Sequence, residues 1–184
     1  MASSGKKTAA ELQGYYESGG TKALSDYYNK LPVLVVLPDG RDNSVTWTPH
    51  SKEMRVGTPS STPESGELDL EHSDSVPQLP SGSIVVPVDC NRENNWTARV
   101  GRATGSAIQL DSKSISRYHA QFIKTARGFS LVDLNSLNGT YVDGIKLIPE
   151  LHYAIQPGRE IRFGLDVKAI FTDIRGLADI CKVV

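Results

Sequence analysis

The stretch SISRYHAQF, residues 114–122, places serine, arginine and histidine side chains together just before an apolar segment. Ser116 and His119 are the residue types that form a nucleophile and its general base. Ser116 and Arg117 are also the types that hold a phosphate group, because a guanidinium pairs with two phosphate oxygens and a hydroxyl donates to a third. The two chemistries require different neighbours, so the surrounding sequence decides between them.

Spacing and context count against a nucleophile. Side chains three residues apart at the start of a strand point to opposite faces, so Ser116 and His119 would share no hydrogen bond without a sharp bend. The chain has no G-x-S-x-G motif, and no acidic residue is placed to orient His119. We therefore predict that no residue is catalytic and that His119 is structural, hydrogen-bonding neighbouring loops.

Two further loop stretches carry residue types suited to phosphate: GRATGS (101–106) and NSLNGT (135–140). Like SISRYH, each follows a predicted strand, and alternate loops of a meandering sandwich lie at the same end. Two cations and a hydroxyl suit a dianionic phosphate, and an amide suits the backbone of an extended peptide. GRATGSA lacks the G-K-[ST] ending of a nucleotide-binding loop. Convergence of the three loops would bring together Arg102, Ser116, Arg117 and Asn138.

The elements that must position these loops are short strands. The strand-like segments are SIVVPVD, TARVGRA, AIQLD, YHAQFIK, FSLVDL, TYVDG, IKLI, REIRFG and VKAIFT. Such segments, separated by turn residues and with little helix, predict an all-β fold, an antiparallel β-sandwich. Asp143-Gly144 predicts a two-residue hairpin turn with positive φ at both positions, and residues 126–128 predict a second hairpin.

The flanking sequence divides into further segments. Residues 8–30 predict two short helices interrupted by glycines, and LPVLVVLPDGRDNSVTW predicts a strand, a turn and a second strand. A Ser-, Thr-, Pro- and acid-rich segment without Lys or Arg then predicts a linker or loop, since it offers little apolar surface to bury. The predicted segments are 1–56 for N-terminal helices and a β-hairpin packing on or preceding the core, 57–79 for the acidic linker, 80–175 for the β-domain and 176–184 for a C-terminal helix.

Composition excludes several classes of protein. The net charge of −1 divides into −4 over residues 1–80 and +3 over residues 81–184, too weak a basic balance to indicate nucleic acid. No apolar run reaches the length of a membrane helix. Cys90 and Cys181 lack metal-ligand spacing, so we expect no metal, no cofactor and a reducing, cytoplasmic location.

The spaced elements together resemble the forkhead-associated (FHA) domain family. The residues that carry the resemblance are VGRATGSAIQLDSKSISRYHAQF, GFSLVDLNSLNGTYVDGIKL and IQPGREIRFG, over about residues 80–175. They match a Gly-Arg after an early strand, Ser-Arg-x-His-Ala, Asp-x-x-Ser-x-Asn-Gly-Thr and Gly-x-x-Ile-x-x-Gly. The segments on either side are also similar to those of stand-alone bacterial FHA proteins. The resemblance implies an eleven-stranded sandwich that binds phosphothreonine peptides through loops at one end and catalyses nothing.

Roles follow from the resemblance position by position. Arg102 matches the arginine that grips the phosphate, Ser116 the serine that donates to it, and Asn138 the asparagine that holds the peptide main chain. Arg117 matches a position that contacts phosphate or peptide. Leu137 replaces a threonine that often contacts the ligand near the phosphothreonine. The positions implied to shape the loops are Gly101, His119 and Gly139.

The sequence therefore favours a phosphothreonine-peptide-binding adaptor in Ser/Thr-kinase signalling. Its partner would be a phosphothreonine-containing protein linked to such a kinase, with no role for nucleic acid or membrane. The alternative is a phosphate-independent interaction or assembly module on an FHA scaffold, which Leu137 supports. In the acidic linker, Thr58 and Thr62 each precede proline and are candidate phosphorylation sites. We interpret the segment first as a solvated spacer. The alternative is a built-in ligand that, once phosphorylated, folds back onto Arg102 and Ser116.

Overall fold

The strands form two sheets that pack face to face in the computed structural model, which describes residues 6–38, 82–93 and 95–181. The strands are β1 (Lys7–Thr8), β2 (Val33–Val36), β3 (Ile84–Pro87), β4 (Thr97–Gly101), β5 (Ile108–Gln109), β6 (Ala120–Thr125), β7 (Gly128–Asp133), β8 (Thr140–Val142), β9 (Ile145–Lys146), β10 (Tyr153–Ile155), β11 (Arg159–Phe163) and β12 (Val167–Thr172). One sheet has the order β1-β3-β2-β12-β11-β8-β9, and the other has β10-β7-β6-β4-β5. The predicted sandwich is confirmed, with twelve strands in the described ranges rather than eleven.

The core between the sheets follows from alternation along the strands. In β11, Ile161 and Phe163 are fully buried while the residues between and before them are partly or largely exposed. Phe122 of β6 stacks on Phe171 of β12 across the sandwich, with ring centroids 5.4 Å apart. Because a strand's side chains point alternately to its two faces, each strand presents one apolar row to this core.

Two helices cover part of the outer face of the seven-stranded sheet. Helix α1 (Ala9–Tyr27) is interrupted by non-helical backbone at Gly20, which confirms the two short helical segments expected near the N-terminus. Helix α2 (Ile174–Cys181) begins two residues before the predicted boundary at 176. A second apolar cluster, separate from the inter-sheet core, lies beneath the helices and includes Leu12, Leu24, Val35, Ile170 and Leu177.

The N-terminal segment contributes a strand to the interior of the sheet. β2 pairs with β3 on one side and with β12 on the other, and Leu34 is buried in the inter-sheet core. The predicted domain start at residue 80 therefore leaves out one strand of the sandwich. The second strand expected after VLVV and the acidic linker 57–79 lie outside the described residues.

The predicted hairpins are confirmed, but one strand pair departs from the antiparallel expectation. Asp143 and Gly144 have φ of 48° and 80° between β8 and β9, and Thr125 pairs with Gly128 where β6 turns into β7. β4 and β5 are parallel. Because the two strands run in the same direction, the β4–β5 loop returns along β4 before β5 begins. Beyond the end of β4, backbone hydrogen bonds join this loop to the β5–β6 loop.

Candidate functional site

The β4–β5 and β5–β6 loops are joined by main-chain hydrogen bonds at one end of the sandwich. The Arg102 N–H donates to the Ser116 carbonyl at 3.0 Å, and the Ala103 N–H donates to the Arg117 carbonyl at 3.1 Å. The Arg102 side chain crosses the same gap, since its Nε donates to the Ile115 carbonyl at 3.3 Å. These bonds fix the start of the β4–β5 loop, and with it the Arg102 guanidinium, against the β5–β6 loop.

The β7–β8 loop joins the same end through two side chains. The Leu137 N–H donates to Ser116 Oγ at 3.1 Å, and Asn138 Nδ2 donates to the Ser114 carbonyl at 2.8 Å. The three loops that sequence reasoning singled out therefore meet, and Arg102, Ser116 and Asn138 lie at one end of the sheets, as predicted.

His119 holds the loops from beneath and takes part in no dyad with Ser116. Its imidazole is fully buried: Nδ1 accepts from the Ser116 N–H at 3.1 Å, and Nε2 lies 3.2 Å from the Gly139 carbonyl. An Nδ1 that accepts a hydrogen bond carries no proton, so Nε2 carries it and donates to Gly139. Burial lowers the pKa of His119, which keeps the ring neutral. With Nδ1 occupied by a backbone N–H, the ring links the β5–β6 and β7–β8 loops.

Two glycines allow the loops to approach. A Cβ at Gly101 would collide with the carbonyl oxygen of Arg117. Gly139 has φ of +80°, in the left-handed region, and a Cβ there would lie 2.6 Å from Cε of Lys146. Both positions were expected to shape the loops, and the geometry explains why a side chain is excluded from each.

Asp133, at the end of β7, fixes the β7–β8 loop from inside. Its carboxylate accepts from the Ser136 N–H at 2.9 Å, from Ser136 Oγ at 2.6 Å and from Thr140 Oγ1 at 2.6 Å. Burial alone would raise the pKa of Asp133, but these bonds outweigh it and lower the pKa. Sequence reasoning assigned Asp133 no role, although the Asp-x-x-Ser spacing that carried the resemblance already contained it.

Asp166, in the β11–β12 turn, fixes the β5–β6 loop from outside. Ser112 Oγ donates to its carboxylate at 2.9 Å, and Ser114 Oγ donates to the same group. The Ser114 N–H in turn donates to Ser112 Oγ at 3.1 Å. The bond from Ser114 is the main reason why the pKa of Asp166 lies below its ordinary value. Sequence reasoning missed Asp166, which is 52 residues away from Ser114 and belongs to no local motif.

Two of the three loops carry exposed arginines. Arg102 and Arg117 are exposed, and the ion pairs of the described residues, Lys7–Glu11 and Arg159–Asp143, involve neither of them. Leu137, whose N–H is bound to Ser116, is 88% exposed. Exposed guanidinium groups on loops that also carry a hydroxyl and an amide are the residue types that bind a multiply charged oxyanion.

The remaining predictions from the sequence concern phosphorylation sites, metal ions and membranes. Thr58 and Thr62 lie outside the described residues. Within the described ranges, no group of three or more His, Cys, Asp or Glu side chains is arranged to hold a metal ion. No helix in that part of the chain is long and apolar enough to cross a membrane.

Comparison with known proteins agrees with the geometry. The model of the FHA domain family matches residues 98–164. The oxoglutarate dehydrogenase inhibitor of Corynebacterium diphtheriae is 32% identical over 118 residues, which cover 61% of this chain and 76% of that protein. The glycogen accumulation regulator GarA of Mycolicibacterium smegmatis is 42% identical over 72 residues, covering 35% of this chain and 46% of that protein. The chain belongs to the FHA domain family.

Among solved structures, one that is similar to this chain is EmbR of Mycobacterium tuberculosis in complex with a low-affinity phosphopeptide. It has 30% sequence identity to this chain and a TM-score of 0.38, and the match covers 41% of this chain and 19% of that one.

Proposed function

We propose that this protein is an adaptor that binds phosphothreonine peptides in Ser/Thr-kinase signalling. The observation that supports the proposal is the meeting of three hydrogen-bonded loops that carry Arg102, Arg117, Ser116 and Asn138. Membership of the FHA family supports threonine as the phosphorylated residue. The names of its relatives, an inhibitor and a regulator, support control of another protein rather than catalysis.

Hydrogen bonds inside the site use some polar atoms and leave others for a ligand. Ser116 Oγ already accepts from the Leu137 N–H, so its own hydrogen is free to donate to a phosphate oxygen. Arg102 uses Nε to hold the Ile115 carbonyl, which leaves the outer N–H groups of its guanidinium for a bidentate pair with phosphate. The Arg102 guanidinium is therefore positioned before the ligand binds, which reduces the side-chain entropy that is lost on binding.

Asn138 serves the peptide backbone in this proposal. Its Nδ2 is held by the Ser114 carbonyl, so the amide group has one preferred orientation and its Oδ1 remains an acceptor for a peptide N–H. Leu137 supplies an apolar side chain at the position where a hydroxyl often contacts the ligand. We therefore expect the partner to place an apolar group near Leu137.

A phosphopeptide library tests the proposal and supplies the partner's motif. Each peptide would be offered to the full-length protein as a phosphothreonine form and as its unphosphorylated copy. Selective retention of phosphothreonine peptides by the wild type, reduced in R102A, is the expected result. Equal retention of both forms would replace the proposal with the phosphate-independent interaction module.

Two finer points belong to the same proposal. The chain's own linker, phosphorylated at Thr58 or Thr62, would compete for the site as an internal ligand. A cytoplasmic location is supported by Cys90 and Cys181, which are both free thiols.

A further inference from the structure

A row of basic side chains crosses the outer face of the seven-stranded sheet. Lys146 of β9 pairs with Tyr141 of β8, Tyr141 pairs with Arg162 of β11, and Arg162 pairs with Lys168 of β12. Directly paired residues project from the same face of a sheet, so the four side chains stand beside one another. We call Lys146, Tyr141, Arg162 and Lys168 the basic row.

Within the described residues, the Tyr141 ring contacts two charges of the basic row, and no ion pair includes any of the four side chains. The guanidinium carbon of Arg162 lies 3.6 Å from the ring centre of Tyr141, and Lys146 Nζ lies 6.0 Å from the same centre. Neither ion pair of the described residues includes a member of the row. Three acids lie two residues from a member of the row: Asp143, Glu160 and Asp166. Asp143 pairs with Arg159, and Asp166 accepts from Ser112 and Ser114. Two residues along a strand span about 7 Å.

The contacts with the Tyr141 ring offset only part of the repulsion within the basic row. Arg162 and Lys168 are directly opposite each other on neighbouring strands, and like charges so placed destabilise a sheet. Lys146 and Lys168 are exposed, since helices α1 and α2 pack elsewhere on the sheet. A bound anion would offset this repulsion.

The basic row is continuous with the proposed phosphothreonine site. The side chain of Lys146 lies beside Gly139, where it occupies the space that a Cβ would need. Arg162 Nη1 donates to the Gly164 carbonyl at 2.5 Å, and the Gly164 N–H donates to the Gly139 carbonyl at 3.0 Å. Gly139 directly follows Asn138, so a peptide held by Asn138 lies next to one end of the row.

We propose that the basic row is a second subsite, which binds an acidic stretch of the phosphothreonine-bearing partner. This inference rests on the proposed function and adds a feature of the partner to it. Three strand-to-strand spacings give the row a length of about 14 Å, which an extended chain covers with about four or five residues. An acidic stretch of that length, adjacent in sequence to the phosphothreonine segment, fits both surfaces together.

Fluorescence anisotropy with labelled phosphothreonine peptides tests the subsite on the full-length protein. One peptide carries four glutamates before the recognised segment, a second carries them after it, and matched controls carry four glutamines. The variant K146Q/K168Q removes two charges while keeping part of each side chain's apolar stem. K124Q is the control, since Lys124 is an exposed lysine of β6 in the other sheet.

Glutamates on one side of the segment should tighten binding by about three- to tenfold at low salt, the sum of a few exposed ion pairs. The gain should disappear in K146Q/K168Q and in 0.5 M salt, and it should persist in K124Q. Glutamine peptides should bind wild type and K146Q/K168Q equally, which would leave the proposed function intact whatever the glutamates do.

Two results would overturn the subsite. One is the absence of any gain from glutamates on either side; the other is a gain that survives K146Q/K168Q unchanged. A gain that appears only after the linker acids are converted to amides would assign the row to the chain's own acidic segment. The substitutions in that variant are E64Q, E67Q, D69N, E71Q and D74N.

Discussion

Replacing Asp166 with alanine should weaken phosphopeptide binding although Asp166 has no place in the ligand surface. The carboxylate accepts from the hydroxyls of both Ser112 and Ser114. The Ser114 carbonyl in turn holds the Asn138 amide. Without Asp166, the β5–β6 loop loses its outer attachment, and Asn138 loses part of its orientation.

The expected effect is modest because the carboxylate is exposed. A hydrogen bond to a charged group contributes about 1.5–3 kcal/mol when shielded from water, but exposed charges contribute about 1 kcal/mol or less. We take the loss of binding free energy from the disordered loop as about 1 kcal/mol, which corresponds to about a fivefold higher Kd for D166A. D166N keeps one acceptor oxygen and should lie between wild type and D166A.

Titration calorimetry with one phosphothreonine peptide, together with urea unfolding, separates positioning from stability. The control is D143N, which removes a carboxylate from the turn at the other end of the same sheet, where Asp143 pairs with Arg159. D143N should bind as wild type does. If D166A bound the peptide as tightly as wild type, the argument that Asp166 positions the loop would be wrong.

Four further outcomes are expected. R102A should weaken phosphothreonine binding by about tenfold to a hundredfold by calorimetry, the loss of a charged hydrogen bond, and S116A should cost less; wild-type affinity in R102A would remove the clamp assignment. Phosphoserine peptides should bind more weakly than phosphothreonine peptides, and equal affinities would contradict the threonine assignment. Burial lowers the pKa of His119 in the folded protein below its ordinary value. As the pH falls, His119 is therefore protonated in the unfolded chain before it is protonated in the folded protein. Stability by urea unfolding should therefore fall below about pH 6.5, by at most about 1.4 kcal/mol per pH unit from this group, and should fall less steeply in H119Q. Phosphorylating Thr62 should weaken binding of a separate phosphopeptide relative to a chain lacking residues 1–79, and equal affinities would leave the linker as a spacer.

Much of the fold could be predicted because local residue patterns specify most of its strands and turns. β6, β7, β11 and β12 show two-residue alternation or β-branched runs, and Asp143-Gly144 specifies its turn by the backbone conformation that those residue types tolerate. β10 carries a weaker signal, since two of its three residues are exposed and it is defined by pairing with β7. The place of β2 between β3 and β12 depends on contacts distant in sequence, so its local pattern predicts a strand but no neighbour.

The residues of the candidate site also divide into those that local motifs predict and those that only tertiary contacts reveal. The loop motifs identify Arg102, Ser116 and Asn138, and the structure brings them to one end. What holds them there could not be found in the motifs themselves. Asp166 reaches Ser114 from a turn 52 residues later, and the basic row exists only through the strand register. Both depend on tertiary pairing, which local residue types do not encode.

The central claim is that the three loops form a phosphothreonine-binding surface. The most direct test is an NMR titration of ¹⁵N-labelled protein with one phosphothreonine peptide and its unphosphorylated copy. The phosphorylated peptide should shift the backbone amides of residues 102–103, 116–117 and 136–139 most strongly, while the unphosphorylated copy leaves them in place. Equal shifts from both peptides, or shifts concentrated on helices α1 and α2, would contradict the claim.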